Sequence, residues 1–349
     1  MMTHILLLGR ADYKVFINIV ILVLSLGIIL LGCELFTNGI EWLGKKLKLG
    51  DGVVGSIFSA VGTCLPETLI PIIALLFSNK TADTKDIGIG AIVGAPFMLS
   101  TLAFFITGIS VIIFSKRRRT ALKININAKI LSRDISFFIV AYLTAIFTSF
   151  LPSYSLKLVM AILLFVFYVF YVMKTVNSDT TSSEIVEDLI LAKILKAEPK
   201  IIIIAFQVLA ALAVIIMGAE FFVGNMEVVA KGLGVSTLAL SIIITPIATE
   251  LPEKFNSIIW ISKNKDTLAL GNVTGAMVFQ SCIPVAIGIM ATDWVLDTIT
   301  LFSAIMALGS AAVVFLWLKI NKSISWIPLV IGGIFYITFI SFLILRGFK

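Results

Sequence analysis

Long apolar stretches recur along the whole chain and are separated by short polar segments. A stretch of about 20 apolar residues is long enough to cross a lipid bilayer as an α-helix. The pattern therefore predicts an all-α membrane protein with ten transmembrane helices, joined by short loops except at 116–133 and 174–200. The predicted helices are Val15–Ile40, Gly52–Phe77, Ile87–Phe114, Ile135–Leu151, Leu156–Met173, Ile201–Val229, Ser236–Ile261, Thr267–Met290, Val295–Leu318 and Ile324–Leu345.

The composition agrees with this pattern and excludes a soluble fold. Of the 349 residues, 59% are hydrophobic and 13% are charged, and the mean hydropathy is +1.10. A soluble domain cannot cover that much apolar surface. We therefore expect an integral, multi-pass protein of the cell membrane.

The net charge of +7 does not indicate nucleic-acid binding, because the basic residues lie in short loops between the predicted helices. Most of the 27 Lys and Arg residues fall in loops that follow the odd-numbered helices. The positive-inside rule places those loops in the cytoplasm and both termini outside. The run Arg117–Arg119 is interpreted mainly as part of this orientation signal, with contact to anionic lipid as the alternative.

Two six-residue motifs lie at equivalent places in two halves of the chain. They are GTCLPE at Gly62–Glu67 and ATELPE at Ala248–Glu253, and neighbouring residues such as Gly32 and Gly218 match at the same offset. Each half contains five predicted helices, so the second half enters the membrane upside down relative to the first. This is the inverted-repeat plan of many secondary transporters.

The same division predicts the domain organisation. The first five-helix repeat covers 1–173, a cytoplasmic linker covers 174–200, and the second repeat covers 201–349. Within the linker, Ser182 or Ser183 is predicted to cap a short helix. Its apolar face would be built from Ile185, Leu189, Ile194 and Leu195.

Each motif places a proline and a glutamate inside an apolar stretch. A carboxylate within the membrane is costly, which makes it a candidate functional group. Pro66 is expected to release the carbonyl of Gly62, because proline has no N–H for the carbonyl four residues earlier. Pro252 is expected to release the carbonyl of Ala248 in the same way.

In each motif a threonine and the glutamate are spaced so that they share one helix face. The pairs are Thr63 with Glu67 and Thr249 with Glu253. Carbonyl, hydroxyl and carboxylate oxygens would therefore converge twice, and hard cations such as Ca²⁺ prefer such oxygens. The alternative is that each Pro–Glu pair is a helix kink with its carboxylate at a water-filled crevice.

The sequence lacks the residues of other site classes. His4 is the only histidine, which argues against a Ser–His–Asp triad and a His-based metal site. Cys33, Cys64 and Cys282 fall within apolar stretches and are interpreted as small hydrophobic residues. We therefore expect no enzyme activity and no resident cofactor.

The two motifs resemble the alpha-repeat motifs of the cation/Ca²⁺ exchanger superfamily, which includes Na⁺/Ca²⁺ and H⁺/Ca²⁺ exchangers. The resemblance covers roughly 32–109 and 218–289. It implies that the two motif glutamates are the central Ca²⁺ ligands and that the first and sixth predicted helices slide across the core to alternate access. Together, motif chemistry and resemblance indicate the candidate ligands Glu67, Glu253, Thr63, Thr249, Gly62, Ala248, Cys64, Glu250, Gln280 and Asn272.

The sequence departs from the superfamily pattern at several expected polar positions. The helix after each motif reads GAIVGAPFML at Gly90–Leu99 and GNVTGAMVFQ at Gly271–Gln280. We expect side sites for Na⁺ to be weakened, which favours H⁺ as the counter-ion. The substituted positions include Ala91, Ala95, Pro96, Leu99, Ala276 and Met277, and the motif serines are replaced by Cys64 and Glu250.

Glu250 and Lys254 are four residues apart with the glutamate first, which is the favourable order on a helix. One interpretation is a neutralising pair that lets a third carboxylate exist within the membrane. The other is that the Lys254 ammonium stands in for a transported monovalent cation. The intervening Pro252 is expected to distort their spacing.

The sequence thus predicts a secondary-active antiporter that exchanges Ca²⁺ for H⁺ or Na⁺ by alternating access. Two alternatives remain open. One is a transporter of the same fold for Mg²⁺, Mn²⁺ or K⁺, and the other is a non-transporting membrane sensor or assembly protein. The expected partners are inorganic cations and the lipid bilayer, with no nucleic acid and no obligatory protein partner.

Overall fold

The computed structural model describes residues 2–46, 61, 64–77, 82–126, 128–176, 188–233, 250–262, 264 and 266–346. The described part is helical, with one isolated β-bridge between Lys123 and Ser325. The helices, in chain order, are α1 (Met2–Lys46), α2 (Leu65–Ile72), α3 (Ala82–Met98), α4 (Phe104–Phe114), α5 (Ala128–Ser149), α6 (Tyr154–Val176), α7 (Ile190–Ile194), α8 (Ile201–Leu233), α9 (Leu251–Ser262), α10 (Asp266–Ala291), α11 (Thr298–Asn321) and α12 (Trp326–Arg346).

Eight helical segments within the described residues are long and apolar enough to cross a membrane. They lie in α1, in the continuous stretch from α3 to α4, and in α5, α6, α8, α10, α11 and α12. The other two predicted helices, Gly52–Phe77 and Ser236–Ile261, lie partly outside the described residues, and α2 and α9 are their described parts. The chain is an integral multi-pass membrane protein, and the count of ten stays a prediction.

Three helices begin earlier than the hydrophobic pattern predicts, because polar and charged residues continue the helix beyond the apolar stretch. α1 begins at Met2, α3 at Ala82 and α5 at Ala128. The extra turns of α5 contain Arg133 and Asp134, whose side chains form an ion pair at 3.0 Å. A paired carboxylate can be buried within a helix, which a hydropathy pattern does not show.

Helices α1 and α8 pack antiparallel along a seam that contains glycine. A Cβ atom on Gly32 would lie 2.7 Å from Ile215 Cγ1, and one on Gly218 would lie 2.8 Å from Ile29 Cγ1. Gly32 is the repeat equivalent of Gly218, and Ile29 is that of Ile215, so the two contacts are related by a local two-fold operation. The missing side chains allow the two backbones to approach closely.

The third helix of each predicted repeat lies at the centre of the molecule. Of the spanning part of α10, 83% is buried, against 28% for α8. α10 packs against α3, α5, α6 and α9, and its residues belong to the main hydrophobic cluster. α1 and α8 form a separate cluster with α2, in which Ile70 and Ile73 accompany Ile29 and Phe222.

The linker helix α7 is capped by side chains of α1 and α8. Asn38 Oδ1 accepts the N–H of Ile190 at 2.9 Å, and Gln207 Oε1 accepts the N–H of Leu191 at 2.8 Å. Gln207 Nε2 also donates to Asn38 Oδ1 at 3.0 Å. These bonds attach the linker to the α1–α8 pair, because they satisfy N–H groups that a helix start leaves without partners.

The predicted amphipathic face of the linker is only partly correct. Leu189 is buried, but Ile194 and Leu195 are exposed. The hydrogen bonds from Asn38 and Gln207 orient this short helix. The spacing of its apolar residues therefore does not decide which of them are buried. Ile185 and the two predicted serine caps lie outside the described residues.

Arg118 has a structural role that the orientation signal did not indicate. Its guanidinium is fully buried and binds both carboxylate oxygens of Asp266 at 2.7 Å. It also donates to the carbonyl of Ile261 at 2.9 Å. Asp266 begins α10, so this pair fastens the loop after α4 to the turn between α9 and α10, while Arg117 and Arg119 are exposed.

Candidate cation site

The two motifs lie at equivalent helix starts. α2 begins at Leu65 and α9 begins at Leu251, which is the same position of each motif. Pro66 and Pro252 therefore occupy the first helical turn, where an N–H has no partner within the helix. The prolines therefore lie at the beginnings of α2 and α9 rather than in their interiors.

Glu67 lies in the first turn of α2 with only 1% of its surface exposed. The N–H groups at a helix start carry partial positive charge, which favours an ionised carboxylate there. Glu253 has the equivalent backbone position in α9, and its side chain lies outside the described part. The candidates that lie wholly outside the described residues are Gly62, Thr63, Ala248 and Thr249.

Gln280 reaches from α10 to the first motif. Its Nε2 donates to the carbonyl of Cys64 at 3.4 Å. That carbonyl also accepts Thr68 Oγ1 at 2.8 Å and the Thr68 N–H at 3.1 Å, so three donors already occupy it. Gln280 Oε1 has no hydrogen-bond partner within the described residues, which makes it the atom of this group that can face a cation.

Asn272 lies on the same helix as Gln280 but two turns away. Eight residues of α-helix rise by about 12 Å. Two ligands of one Ca²⁺ ion are at most about 5 Å apart. Gln280 and Asn272 are therefore too far apart along α10 to bind the same ion, and only Gln280 lies at the first motif. Neither polar atom of the Asn272 side chain has a hydrogen-bond partner within the described part of the chain.

Glu250 and Lys254 form a buried ion pair beside the second motif. The Lys254 Nζ lies 3.2 Å from Glu250 Oε2, and the two side chains are 5% and 0% exposed. The Lys254 N–H also bonds to the Glu250 carbonyl at 3.2 Å. The expectation that Pro252 distorts this spacing was wrong, because Pro252 lies in the first turn of α9, where proline fits the helix.

The positions that lack expected polar side chains are buried in the core. Ala95, Leu99 and Ala276 are all fully buried and bring no side-chain oxygen. Leu99 is the repeat equivalent of Gln280, so one of the two third helices offers an amide and the other offers only hydrocarbon. The two halves of the site are therefore chemically unequal.

Two further prolines at the site were missed by the sequence argument. Pro71 has no N–H for the carbonyl of Glu67, and Pro284 has none for the carbonyl of Gln280. A π-helical turn, Ile73–Phe77, begins two residues after Pro71. The sequence could have indicated these two free carbonyls, because in both cases the proline follows a candidate ligand by four residues.

A polar contact between α5 and α10 was also missed. Thr274 Oγ1 donates to Asp134 Oδ2 at 3.0 Å, and both side chains are buried. The predicted helix began at Ile135, one residue after Asp134. The contact joins α10, which carries Gln280, to the face of the molecule where α5 begins.

Within the described residues, no group of three His, Cys, Asp or Glu side chains is close enough to hold a metal ion. The described candidate ligands at the first motif, the Glu67 carboxylate and the Gln280 amide oxygen, are oxygen ligands of the kind that Ca²⁺ prefers.

The model of the sodium/calcium exchanger protein family matches residues 17–176 and 203–347. The chain belongs to this family. Most of both halves is covered, including the two motifs and the helices that follow them.

Relatives and solved structures agree with this membership. An uncharacterised membrane protein of Methanocaldococcus jannaschii is 24% identical over 266 residues, which cover 75% of this chain and 79% of the relative. A protein of Alkalimonas amylolytica named as an antiporter, CaxA, is 29% identical over 113 residues, which cover 32% of this chain and 35% of the relative.

Two solved structures have the same fold as this sodium/calcium exchanger family protein. The crystal structure of the H⁺/Ca²⁺ exchanger CAX matches with a TM-score of 0.77 and 15% identity, over 93% of this chain and 82% of that chain. The sodium-calcium exchanger NCX_Mj matches with a TM-score of 0.61 and 20% identity, over 94% and 99%. At such identities the likeness concerns the fold.

Proposed function

We propose that this protein is a secondary-active antiporter that exchanges Ca²⁺ for a counter-ion by alternating access. The observation that carries the proposal is the pairing of the two motifs, with Glu67 buried at one membrane-embedded helix start and Glu253 at the equivalent start. Glu67 and Glu253 are the proposed central ligands, with Thr63, Thr249 and Gln280 contributing neutral oxygens. Ca²⁺ is the cargo, and no resident cofactor enters the proposal.

The charge balance at the motifs supports a divalent cargo. Glu250 and Lys254 neutralise each other across 3.2 Å. Glu67 and Glu253 then leave two negative charges, which one Ca²⁺ ion balances. An empty site with two bare carboxylates is costly to carry through a low-dielectric barrier, so protons or another cation must replace Ca²⁺ on the return step.

We propose H⁺ rather than Na⁺ as the counter-ion. Ala95, Leu99 and Ala276 lack the side-chain oxygens that additional Na⁺ sites require. Carboxylates that release Ca²⁺ can instead take up protons. The neutralised pair supports the first interpretation of Lys254, in which it balances Glu250 and leaves the cargo site unblocked.

The proposal includes the ten-helix topology with two inverted repeats at 1–173 and 201–349, joined by the cytoplasmic linker 174–200. The two-fold relation between the Gly32–Ile215 and Gly218–Ile29 contacts supports it. Antiparallel packing of equivalent helices is what an inverted repeat requires. Both termini would face outward, as the distribution of Lys and Arg favours.

Flux of Ca²⁺ into proteoliposomes tests the function. Glu67→Gln and Glu253→Gln each remove one charge at nearly constant shape and should lower the transport rate at least tenfold, which needs only about 1.4 kcal/mol of lost binding. Glu198→Gln is the matched control, because Glu198 is exposed on the linker. Wild-type transport by either motif variant would contradict a shared site.

A panel of competing cations separates the remaining alternatives. Inhibition of Ca²⁺ flux by excess Mg²⁺, Mn²⁺ or K⁺ as strong as that by unlabelled Ca²⁺ would change the assigned cargo. Saturable Ca²⁺ binding without any flux would instead identify a sensor on a transporter scaffold.

A further inference from the structure

A cavity at the basic face of the protein has no part in the proposed cation site. Its volume is about 700 Å³, and it lies where the start of α5 meets the ends of α6 and α11. None of the described residues that line it is acidic. Five lining side chains are cationic, namely Lys129, Arg133, Lys174, Lys319 and Lys322.

One cation of the cavity is paired with a carboxylate, and two of its lysines lie against aromatic rings. Arg133 pairs with Asp134 at 3.0 Å. The ammonium groups of Lys174 and Lys319 instead lie over aromatic rings, at 5.8 Å and 5.3 Å from the ring centroids. Within the described residues, no carboxylate lies within ion-pair distance of Lys174, Lys319 or Lys322. Like charges at close range repel one another, so the cavity favours an anion.

The rest of the lining is largely apolar. Ala128, Ile130, Phe137 and Leu318 contribute hydrocarbon to the same cavity. A small inorganic anion gains nothing from such a surface. An amphipathic ligand gains from both parts, because its charged group meets the lysines and its hydrocarbon meets the apolar wall.

The surroundings of the cavity also suit a molecule that is part of the bilayer. Met173 and Ile320, the sequence neighbours of two cavity lysines, are 57% and 77% exposed. Both lie near the ends of helices that are long and apolar enough to cross a membrane, and lipid head groups are expected at such ends. Basic cavities between spanning helices at this depth are suited to anionic head groups.

We infer that this cavity is a binding site for an anionic phospholipid, with the phosphate among Lys129, Lys174, Lys319 and Lys322 and an acyl chain along the exposed sides of α6 and α11. The site is separate from the motifs. It would hold α5, α6 and α11 together where they end. Arg133 then lies between the lipid phosphate and the Asp134–Thr274 contact with α10.

Phosphatidylglycerol titrated into the full-length protein in neutral detergent tests the inference, with the rise in thermal unfolding temperature as the signal. The double variant Lys174→Gln with Lys319→Gln removes two cavity charges. Each basic residue near a lipid head group contributes about a fivefold factor, so binding should weaken by roughly thirtyfold. Phosphatidylcholine should give no stabilisation in either protein.

The matched control is Lys116→Gln with Arg117→Gln, which removes two exposed charges from the same basic face outside the cavity. Its affinity should fall by less than about threefold, because screening weakens charges that do not touch the ligand. Equal losses in the two double variants would overturn the site and leave only a general surface attraction. If the cavity variant is unfolded without lipid, Lys322→Gln alone replaces it, with a fivefold loss expected.

Inorganic phosphate and glycerol phosphate distinguish a lipid from a soluble anion. Neither should displace phosphatidylglycerol when present in large excess, because neither contacts the apolar wall. Displacement by either, or stabilisation by either in the absence of lipid, would overturn the assignment to lipid.

Discussion

At the scale of single residues, the two motifs differ in the contact that joins two equivalent positions four residues apart. In the first, Thr68 Oγ1 donates to the carbonyl of Cys64 at 2.8 Å. In the second, the equivalent residues are Lys254 and Glu250, whose side chains form a buried ion pair. A neutral hydrogen bond on one side therefore corresponds to an ion pair on the other.

Breaking the ion pair should be costly, and removing both partners should not. Lys254→Met leaves Glu250 buried without its cation, and we expect a loss of about 3–5 kcal/mol in the free energy of unfolding. The double change Glu250→Ser with Lys254→Thr removes both charges and should restore most of that stability. Thermal unfolding of Glu250→Ser, Lys254→Thr and the double variant measures the coupling between the two residues.

Thr68→Val is the control for this cycle. It removes the equivalent neutral contact in the first motif and should cost about 1 kcal/mol. If the effects of the two single changes at Glu250 and Lys254 simply add, the residues are not coupled. In the double variant, Ca²⁺ flux should also become more sensitive to Na⁺, because hydroxyls replace charges beside the second motif.

At the scale of elements, the α1–α8 pair depends on glycine at its closest approach. The two helices form their own hydrophobic cluster with α2, and the linker helix α7 is capped by both of them. Gly27 and Gly32 both lie on α1, and of these two Gly32 is in close contact with α8 while Gly27 is not. This difference within one helix allows a matched test.

Gly32→Leu should separate the two helices, because even a Cβ atom would lie 2.7 Å from Ile215 Cγ1. We expect a loss of about 1–3 kcal/mol in stability from overpacking, together with slower Ca²⁺ flux. Gly27→Leu is the control, because a Cβ atom there has no neighbour within 4 Å. Equal unfolding temperatures and equal flux in the two variants would contradict a close α1–α8 contact.

At the scale of the whole molecule, coupling to H⁺ should dominate over coupling to Na⁺. In proteoliposomes, an imposed pH gradient should change the Ca²⁺ flux several-fold, and a Na⁺ gradient at constant pH should change it little. The physical reason is the buried hydrocarbon at Ala95, Leu99 and Ala276, where Na⁺ ligands would be needed. Saturable dependence on Na⁺ would reverse the assignment of the counter-ion.

The sequence by itself determined the class of the protein and indicated its family. Apolar stretches of spanning length indicate an integral membrane protein, because a helix of about 20 apolar residues matches the thickness of the hydrocarbon core of a bilayer. The two motifs around Glu67 and Glu253 indicated the family, and the match to the family model confirms it. These conclusions depend on the apolar composition of each stretch and on the similarity of the two motifs. Neither requires knowledge of which residues contact each other in the folded protein.

Only the tertiary structure decided how distant residues combine. It brought Gln280 to the first motif, separated it from Asn272 by helical rise, and showed that Arg118 is buried against Asp266. It also placed Asp134 inside a helix, where its side chain pairs with Arg133 of the same helix and with Thr274 of α10. A charged residue in a sequence carries no record of its partner, so hydropathy treats a paired and an unpaired carboxylate alike, and only packing distinguishes them.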